Sequence, residues 1–561
     1  MNNKVIAREL KLLAQLLEFN GENAFKTKAV ASAAQRLGKL PFDIVTKTQA
    51  ELGEIPGIGK STALKIQEII HEGGIKELKE LIQQTPPGII DLLKIKGIGP
   101  KKIATIWKEL GIDNLGGLWY ACKDDKISKL KGFGQKTQEE LKNIVEFTIE
   151  NEGKFRYIDA KPIADIILTI FKDNLKENST ISLTGSLRRY CEIVDSIELL
   201  IAISKEELLD FLYQSPAFTD IEGKTNCIAC SYQSGIKIIL HFCGKDDFHA
   251  RLLETTGNDK HIKQLKIELN SEIPALESEE AIYKKAGLSF ILPELREGLN
   301  EIKLAKDGKL PKLIEYNDFK GNLHNHSIWS DGVFSIDDMA LYCRDVLKLE
   351  YFGISDHSKT AVYANGLSTE RVMAQLSEID LLNKKLSPFR IFKGIESDIL
   401  ANGSLDYPDE VLAEFDFVVA SIHSQLSMDE KKATTRLIKA IENPFTTILG
   451  HPTGRQLLIR RGYPIDHKKV IDACAANGVI IEINANPLRL DIDWQWVPYC
   501  LEKGVMISVN PDAHHTAELE YLRYGHLVAR KGGLTAENCF NCLSKEQVAD
   551  YFSSRKLNIN R

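Results

Sequence analysis

Gly321-Asn-Leu-His-Asn-His326 is a short apolar run that ends in two histidines one residue apart. Six runs of similar build follow it: Phe352-Gly-Ile-Ser-Asp-His357, Phe392-Lys-Gly-Ile-Glu396, Val418-Val-Ala-Ser-Ile-His423, Thr447-Ile-Leu-Gly-His451, Ile480-Ile-Glu-Ile-Asn484 and Ile507-Ser-Val-Asn-Pro-Asp-Ala-His514. Longer helical stretches lie between them. Short strands alternating with helices are the pattern of repeated β-α units around a parallel sheet or barrel. Barrels of this kind gather their chemistry at the C-terminal ends of the strands, so residues far apart in the chain converge there. Six of the seven runs end in a strong metal-ligand residue, and Ile480–Asn484 is the exception.

The alternation of a strand predicts that His324 and His326 share one face, about 7 Å apart at Cα. Asp512 and His514 repeat that spacing. Asp331 stands in a Ser-Asp-Gly turn before a helix whose start, Ser335-x-x-Asp338, fits a capping box. Neutral imidazole and carboxylate together suit Zn²⁺, Mn²⁺ or Fe²⁺. The set is His324, His326, Asp331, His357, Glu396, His423, His451, Asp512 and His514. Since one ion takes roughly four to six ligands, this set implies two or three ions. Such a cluster is suited to phosphate-ester cleavage. Arg455, and less directly Arg460, are candidates for contact with a substrate phosphate.

The motifs LHNHS, SDG, SDH, GIES, SIHS, GHPTGR and DAHH resemble those of the PHP (polymerase and histidinol phosphatase) family over about 318–561. The resemblance implies a distorted seven-stranded β/α barrel with a trinuclear Zn²⁺ or Mn²⁺ site. By that analogy His324, His326, Glu396 and Asp512 share one ion and serve catalysis, with Arg455 beside them. Glu396 bridges to a second ion with His423 and His451, and Asp331, His357 and His514 hold the third. Asn322 stands where many relatives have Asp, a place from which it would tune a ligand without being one.

At the other end, three stretches share a pattern: Ile55-Pro-Gly-Ile-Gly-Lys60, Ile95-Lys-Gly-Ile-Gly-Pro100 and Leu130-Lys-Gly-Phe-Gly-Gln135. Each has two glycines around an apolar residue and runs into a helix. Glycines permit the tight turn, and backbone N–H groups at the helix start can meet a phosphate. The pattern resembles the helix-hairpin-helix motif, which grips a DNA backbone without reading bases. Gly57, Gly59, Lys60, Gly97, Gly99, Lys101 and Lys102 are the candidate DNA contacts. Residues 1–150 carry 23 Lys and Arg against 19 Asp and Glu, a surplus of positive charge in a chain whose net charge is −6.

Between these regions, Thr184-Gly-Ser-Leu-Arg-Arg189 and Ile197-Glu-Leu-Leu-Ile201 resemble a nucleotidyltransferase palm. In order and over essentially its full length the chain resembles the bacterial family X DNA polymerases. The resemblance implies a helical DNA-binding domain (1–85), a fingers-like helical domain (86–150), an α+β palm (151–245), a thumb and linker (246–317) and the barrel (318–561). Gly185, Ser186 and Arg189 would face a nucleoside triphosphate. The three carboxylates that hold a polymerase's two metals are not intact. The family's Gly-Asp-Ile-Asp reads Asp195-Ser196-Ile197-Glu198, and its third aspartate position is Ile239. Tyr-Phe-Thr-Gly-Ser reads Glu254-Thr-Thr-Gly-Asn258. One carboxylate in place of three predicts a polymerase slowed by many orders of magnitude.

The expected function is therefore a DNA-repair 3′-5′ exonuclease or 3′-end-processing phosphoesterase on a palm that has lost synthesis. The alternatives are an active gap-filling polymerase, a histidinol-phosphatase-like small-molecule phosphatase, and a noncatalytic DNA-end binding protein. Composition is ordinary for a globular chain, 43% hydrophobic and 27% charged. No apolar run approaches the roughly 20 residues of a membrane span. The amphipathic N-terminal helix does not read as a secretory signal, which places the protein in the cytoplasm. The family analogy favours a monomer. Cys227/Cys230 and Cys539/Cys542 are read as cysteines carried incidentally by a strand and a helix.

Overall fold

The computed structural model describes residues 3–38, 40, 42–175, 180–233 and 235–559. They form two compact units, Met1–Glu152 and Gly153–Arg561. The first is all helix. Asn3–Phe19 buries Ile6, Leu10, Leu13 and Leu17 at spacings of three and four, the stripe that drives an amphipathic helix onto its neighbours. One apolar core runs through the unit, from Ile6 to Val145.

The second unit opens with a five-stranded mixed sheet. Ile181–Thr184 pairs antiparallel with Ile197–Ile201, which pairs in parallel with Lys237–Phe242; Cys227–Tyr232 and Phe218–Gly223 complete it, antiparallel. Helices 248–306 follow with their own small core around Leu253, Leu265, Ile282 and Tyr283. Leu288–Arg296, which reads in the sequence as a loop entering a tail, is instead wound into that core. Arg296 is fully buried beneath Tyr283 and Phe290, paired at 2.6 Å with Glu279. An apolar-plus-proline segment looks like a tail because its two anchoring charges, Glu294 and Arg296, read as surface residues, whereas they pair with Arg530 and Glu279.

The rest is a nearly closed parallel barrel of seven strands in sequential order: Gly321–Asn322, Tyr351–Ile354, Arg390–Asp398, Phe417–Ser421, Ile448–Leu449, Ile480–Asn484 and Ile507–Asn510. Its first and last strands meet just beyond their ends, where Asn325 bridges to Ala513 and the His326 N–H donates to the Ala513 carbonyl at 2.8 Å. Along the third strand Phe392, Gly394, Glu396 and Asp398 alternate onto the inner face. Gly394 is needed there because a Cβ would lie 2.2 Å from the Phe417 ring. The lower interior is filled by Leu323, Tyr351, Phe392, Phe417, Val419, Ile448 and Ile480. Phe552, from the C-terminal helix Lys545–Ile559, closes it by stacking on Phe417 at 5.4 Å. A ring so buried contributes roughly 2–3 kcal/mol. The candidate metal-ligand residues sit above this apolar floor.

Candidate metal centre and nucleic-acid interface

Glu396 is the hub of the barrel mouth. It is 1% exposed, and five imidazoles reach its two oxygens. His451 Nε2 lies at 3.0 Å, His423 Nε2 at 3.2 Å, His324 Nε2 at 3.3 Å, His357 Nδ1 at 2.9 Å and His326 Nε2 at 3.6 Å. Asp512 Oδ1 stands 3.1 Å from His326 Nε2 and 3.6 Å from His324 Nε2. Asp331 Oδ1 lies 3.2 Å from His514 Nε2 and 3.6 Å from His357 Nε2. All nine predicted ligand residues therefore come together at one end of the barrel. Four overlapping groups have ligand atoms within 4.8 Å: His326, Asp331, His357 and His514; His324, His451 and Asp512; His324, His326 and Glu396; His357, Glu396 and His423. The partition differs from the family assignment in placing His326 also with the Asp331 group, His357 also with His423, and His451 with Asp512.

The reason His324 and His326 converge differs from the strand alternation expected of them. The first strand ends at Asn322, and the two rings hang from an irregular exit held by the Asn325–Ala513 bridge, 5.3 Å apart. Among the described residues Asn322 makes no hydrogen bond to a candidate ligand. Its Oδ1 accepts from the Asn325 amide at 2.5 Å, bracing the residue between the two histidines. His451 and Asp512 hold φ of +24° and +52°. Such backbones cost of order 1–3 kcal/mol each and persist where surroundings over-determine them, as at functional sites.

The donor set fits divalent cations. His324 Nε2 and Glu396 Oε2 are buried without a hydrogen bond, an imbalance that a bound cation would relieve. The titrations follow the same imbalance. Burial would lower His324, His423 and His514, but carboxylates outweigh it. Glu482 and Glu396 hold His324 well up, Glu396 and Asp398 hold His423 at about 10, and Asp331 and Asp512 hold His514 at about 9. His326, buried between His514 and His357, falls to about 3. The cluster pulls positive charge into itself, as a cation site should.

Several residues at this site escape the end-of-run reading. Glu482 is fully buried on the sixth strand, the one called an exception. It takes His324 Nδ1 at 2.7 Å and the His451 N–H at 2.9 Å. Asp398 takes His423 Nδ1 at 2.6 Å. Asp356 accepts from the Ser327 N–H at 2.8 Å and from Gln375 at 2.6 Å, and its bond from the Ser330 hydroxyl fixes the turn leading to Asp331. A period-two reading inward from Ile480 and Phe392 finds Glu482 and Asp398; counting only terminal residues does not. Carboxylates behind ligand imidazoles fix the tautomer and strengthen the ligand. Glu482→Gln is expected to weaken divalent-metal affinity by roughly 10- to 100-fold, read by competition with a chelator.

Arg455 requires a correction. The sequence places it against substrate phosphate, but its guanidinium is spent inside the protein. Nη1 donates to Asp493 at 2.6 Å, Nη2 to Glu192 at 2.6 Å and to the Leu490 carbonyl, and Nε to the Arg489 carbonyl at 2.9 Å. A turn arginine reads as a ligand group because its partners lie 34 or more residues away. Arg460 is exposed and bonds the Gly454 carbonyl at 3.2 Å. The cation missed by the sequence reading is Arg489, whose Nε is 3.5 Å from Asp512 Oδ2.

The palm needs a similar correction. Arg189 does not face an open nucleotide pocket. It donates to Glu297 at 2.9 Å and to the Thr256 carbonyl at 2.7 Å, while Arg188 grips Glu279 through both nitrogens. Glu198 stands opposite Ile239 in register and pairs with His241 at 3.1 Å. Its carboxylate packs over Gly185, where a Cβ would lie 2.4 Å away. Ser186 follows Gly185 in the short helix Gly185–Arg188. Ser196 is buried, and Asp195 is exposed just before the strand. Among the described residues, no metal-type grouping includes a palm carboxylate or a cysteine.

In the N-terminal unit the three glycine pairs fold alike. Gly57, Gly97 and Gly132 take φ of +88°, +101° and +88°, which favours glycine. Gly59, Gly99 and Gly134 are the N-cap residues of Lys60–Glu72, Pro100–Leu110 and Gln135–Glu150, with no side-chain cap. Ile58, Ile98 and Phe133 are buried between exposed glycines. Lys60 and Lys101 are exposed and Lys102 half-buried. The third pair departs in its approach, a three-residue 3₁₀ turn at Ile127–Lys129 in place of an α-helix.

Known proteins give the following likenesses. Residues 1–75 match the helix-hairpin-helix domain model, and 89–143 match the SAM-like helix-hairpin-helix tandem. The DNA polymerase/3′-5′ exonuclease PolX of Bacillus subtilis (strain 168) is 35% identical over 98% of this chain and 99% of its own length. A probable phosphatase of Acetivibrio thermocellus is 27% identical over 43% of this chain and 99% of its own. Another, from Thermoanaerobacter sp. (strain X514), is 30% identical over 32% of this chain and 75% of its own. Among the described residues no helix is long and apolar enough to cross a membrane.

Proposed function

The chain belongs to the PolX family of DNA polymerase/3′-5′ exonucleases, and on that footing we propose that its working centre is the barrel, a metal-dependent phosphodiesterase that trims DNA 3′ ends. The observation that carries this reading is Glu396, a buried carboxylate within 3.6 Å of five imidazoles. Bound there, two or three Zn²⁺ or Mn²⁺ ions would supply an activated water, in-line orientation and charge neutralisation at the leaving oxygen. The chain's own part is to hold donors still. Glu482 and Asp398 each occupy one ring nitrogen of His324 and His423, so that the other faces the centre. The glycine hairpins would hold a gap or end through phosphates without reading bases, so affinity should fall steeply with salt. The protein would act as a monomer in the cytoplasm.

The palm is read as a scaffold. Glu198 is the one carboxylate left on the catalytic strands, and it is engaged with His241. The name of the Bacillus subtilis relative keeps synthesis in view as a second reading, and one assay separates the two. Gapped DNA labelled at the 5′ end of the strand whose 3′ end borders the gap is incubated with Mn²⁺, Mg²⁺ or Zn²⁺, with and without dNTPs. We expect shortening in Mn²⁺ or Zn²⁺ and no extension in any metal. Extension that disappears in Glu198→Gln would establish the polymerase instead. Rapid turnover of a small phosphomonoester with intact gapped DNA would move the substrate class to small molecules.

A further inference from the structure

Val362 and Tyr363 form the tip of the loop that follows the second barrel strand, and they are 81% and 69% exposed. From Gly321 onward Tyr363 is the one exposed aromatic ring among the described residues. It stands at the barrel mouth, its ring centre 6.2 Å from that of His357, a candidate metal ligand, and tilted by 56°. A single apolar residue at a surface needs no explanation. This one does, because its loop is held still. Ala361, Ala364 and Leu367 are fully buried and anchor the loop, so neither Val362 nor Tyr363 is needed for that. The loop closes on itself where the Gly366 N–H donates to the Ala361 carbonyl at 3.0 Å and the Leu367 N–H to the His357 carbonyl at 2.9 Å. Glycine is required at that closure, since a Cβ on Gly366 would lie 1.9 Å from the Ser358 carbonyl oxygen. Thr360 donates its N–H to Asp406 at 2.7 Å and its hydroxyl to Asp398, the carboxylate behind His423, at 2.9 Å. On the other side the Asn365 amide donates to the Trp329 carbonyl at 3.2 Å, and Arg371 to the Asn365 carbonyl at 2.8 Å. The loop after the first strand, joined in this way, adds Ile328, which is 57% exposed.

We propose that Tyr363 is a stacking platform for the terminal nucleobase of the strand being trimmed, so that the barrel takes unpaired 3′ ends without regard to sequence. A nucleotide carries its base one sugar away from its phosphate. A phosphate at the ligand cluster therefore brings a base beside a ring that already neighbours His357. Every base has a π face, which makes stacking on an aromatic ring tolerant of sequence. A base held in a duplex is already paired and stacked, so the platform favours frayed or unpaired ends. A ring on a pinned loop gives up little conformational freedom when a base settles on it. The inference rests on the phosphodiesterase reading of the barrel and deepens it, by naming a part of the substrate other than phosphate that the mouth holds. Tyr363 is a binding residue and takes no part in the bond-breaking step.

The test uses the full-length, Mn²⁺-loaded protein and single-stranded DNA labelled at its 5′ end. Two substrates differ only in the last residue, which is a normal nucleotide or an abasic one with the same phosphates. For the first cut, wild type is expected to show a kcat/KM roughly tenfold or more lower on the abasic end, and Tyr363→Ala to lose that factor on the normal end and to treat the two ends alike. Tyr363→Phe, which keeps the ring and loses the hydroxyl, should stay within about twofold of wild type. Binding is read separately, from the quenching of a 2-aminopurine at the 3′ end of a strand whose last linkage is a phosphorothioate. That quenching should fall in Tyr363→Ala and persist in Tyr363→Phe, with bound metal unchanged in both. A wild type indifferent to the missing base, or a Tyr363→Ala that keeps the base preference, overturns the proposal. So does a Tyr363→Phe that behaves as Tyr363→Ala, which would move the role to the hydroxyl. Metal loss in Tyr363→Ala overturns it too, by making the ring a support of the ligand cluster. Wild-type protein that holds Mn²⁺ yet shortens neither strand would instead remove the phosphodiesterase reading itself.

Discussion

Glu396→Gln is expected to reduce cleavage of 3′-labelled gapped DNA by on the order of a thousandfold or more, about 4 kcal/mol of lost transition-state stabilisation. The amide keeps the shape of the side chain but removes the anion against which five imidazoles converge. His324, His357, His423 and His451 would then lose the carboxylate charge that draws a cation among them. Bound metal should fall together with activity. Affinity for the DNA should stay within about twofold if, as proposed, the glycine hairpins hold phosphates by backbone N–H groups and charge. Measuring the rate, metal stoichiometry and DNA affinity on one preparation checks all three. Glu396→Gln protein that kept a tenth of the wild-type rate would show that the chemistry runs elsewhere.

The second large effect concerns stability. Glu279 is buried between Arg188 of the palm and the fully buried Arg296. Burial alone would raise its carboxyl, but the hydrogen bond from Arg188 and the charge of Arg296 outweigh it, and it falls from 4.5 to about 2. Glu279→Ala strands two arginines without their acid, which costs roughly 3–5 kcal/mol, visible as a lower urea midpoint for the Gly153–Arg561 unit. The sign of the pH dependence follows from the lowered value. The stabilisation is complete above the unfolded pKa near 4.5 and is lost as pH falls toward 2. Between those values wild type should lose stability while Glu279→Ala changes less. A variant unfolding with the wild-type midpoint at pH 7 would refute the assignment.

Much of the barrel was legible because its period is short and its chemistry is concentrated. Each strand is a brief apolar run, and every candidate ligand but Asp331 sits at or near a strand end, so Gly321–His326 and its six successors mark both fold and site. The glycine pairs were legible for a different reason: positive φ at Gly57, Gly97 and Gly132 leaves glycine as the favoured residue. What could not be read was pairing across distance. Arg455, Arg189 and Arg296 each look like exposed or ligand-facing charges, yet each is neutralised by an acid from another element. Sequence spacing carries no trace of such partners. Glu482 and Asp398 failed for a milder reason. They lie on the inner face, two residues apart from residues that were noticed, and only the alternation of the strand reveals them.

The stack of Phe552 on Phe417 stoppers the barrel from below. A DNA strand therefore cannot be threaded through it like a rope through a pulley. On the proposed function, whatever enters the mouth would leave by the same door, and the length removed per encounter would be governed by how long the rest of the molecule keeps hold of the DNA.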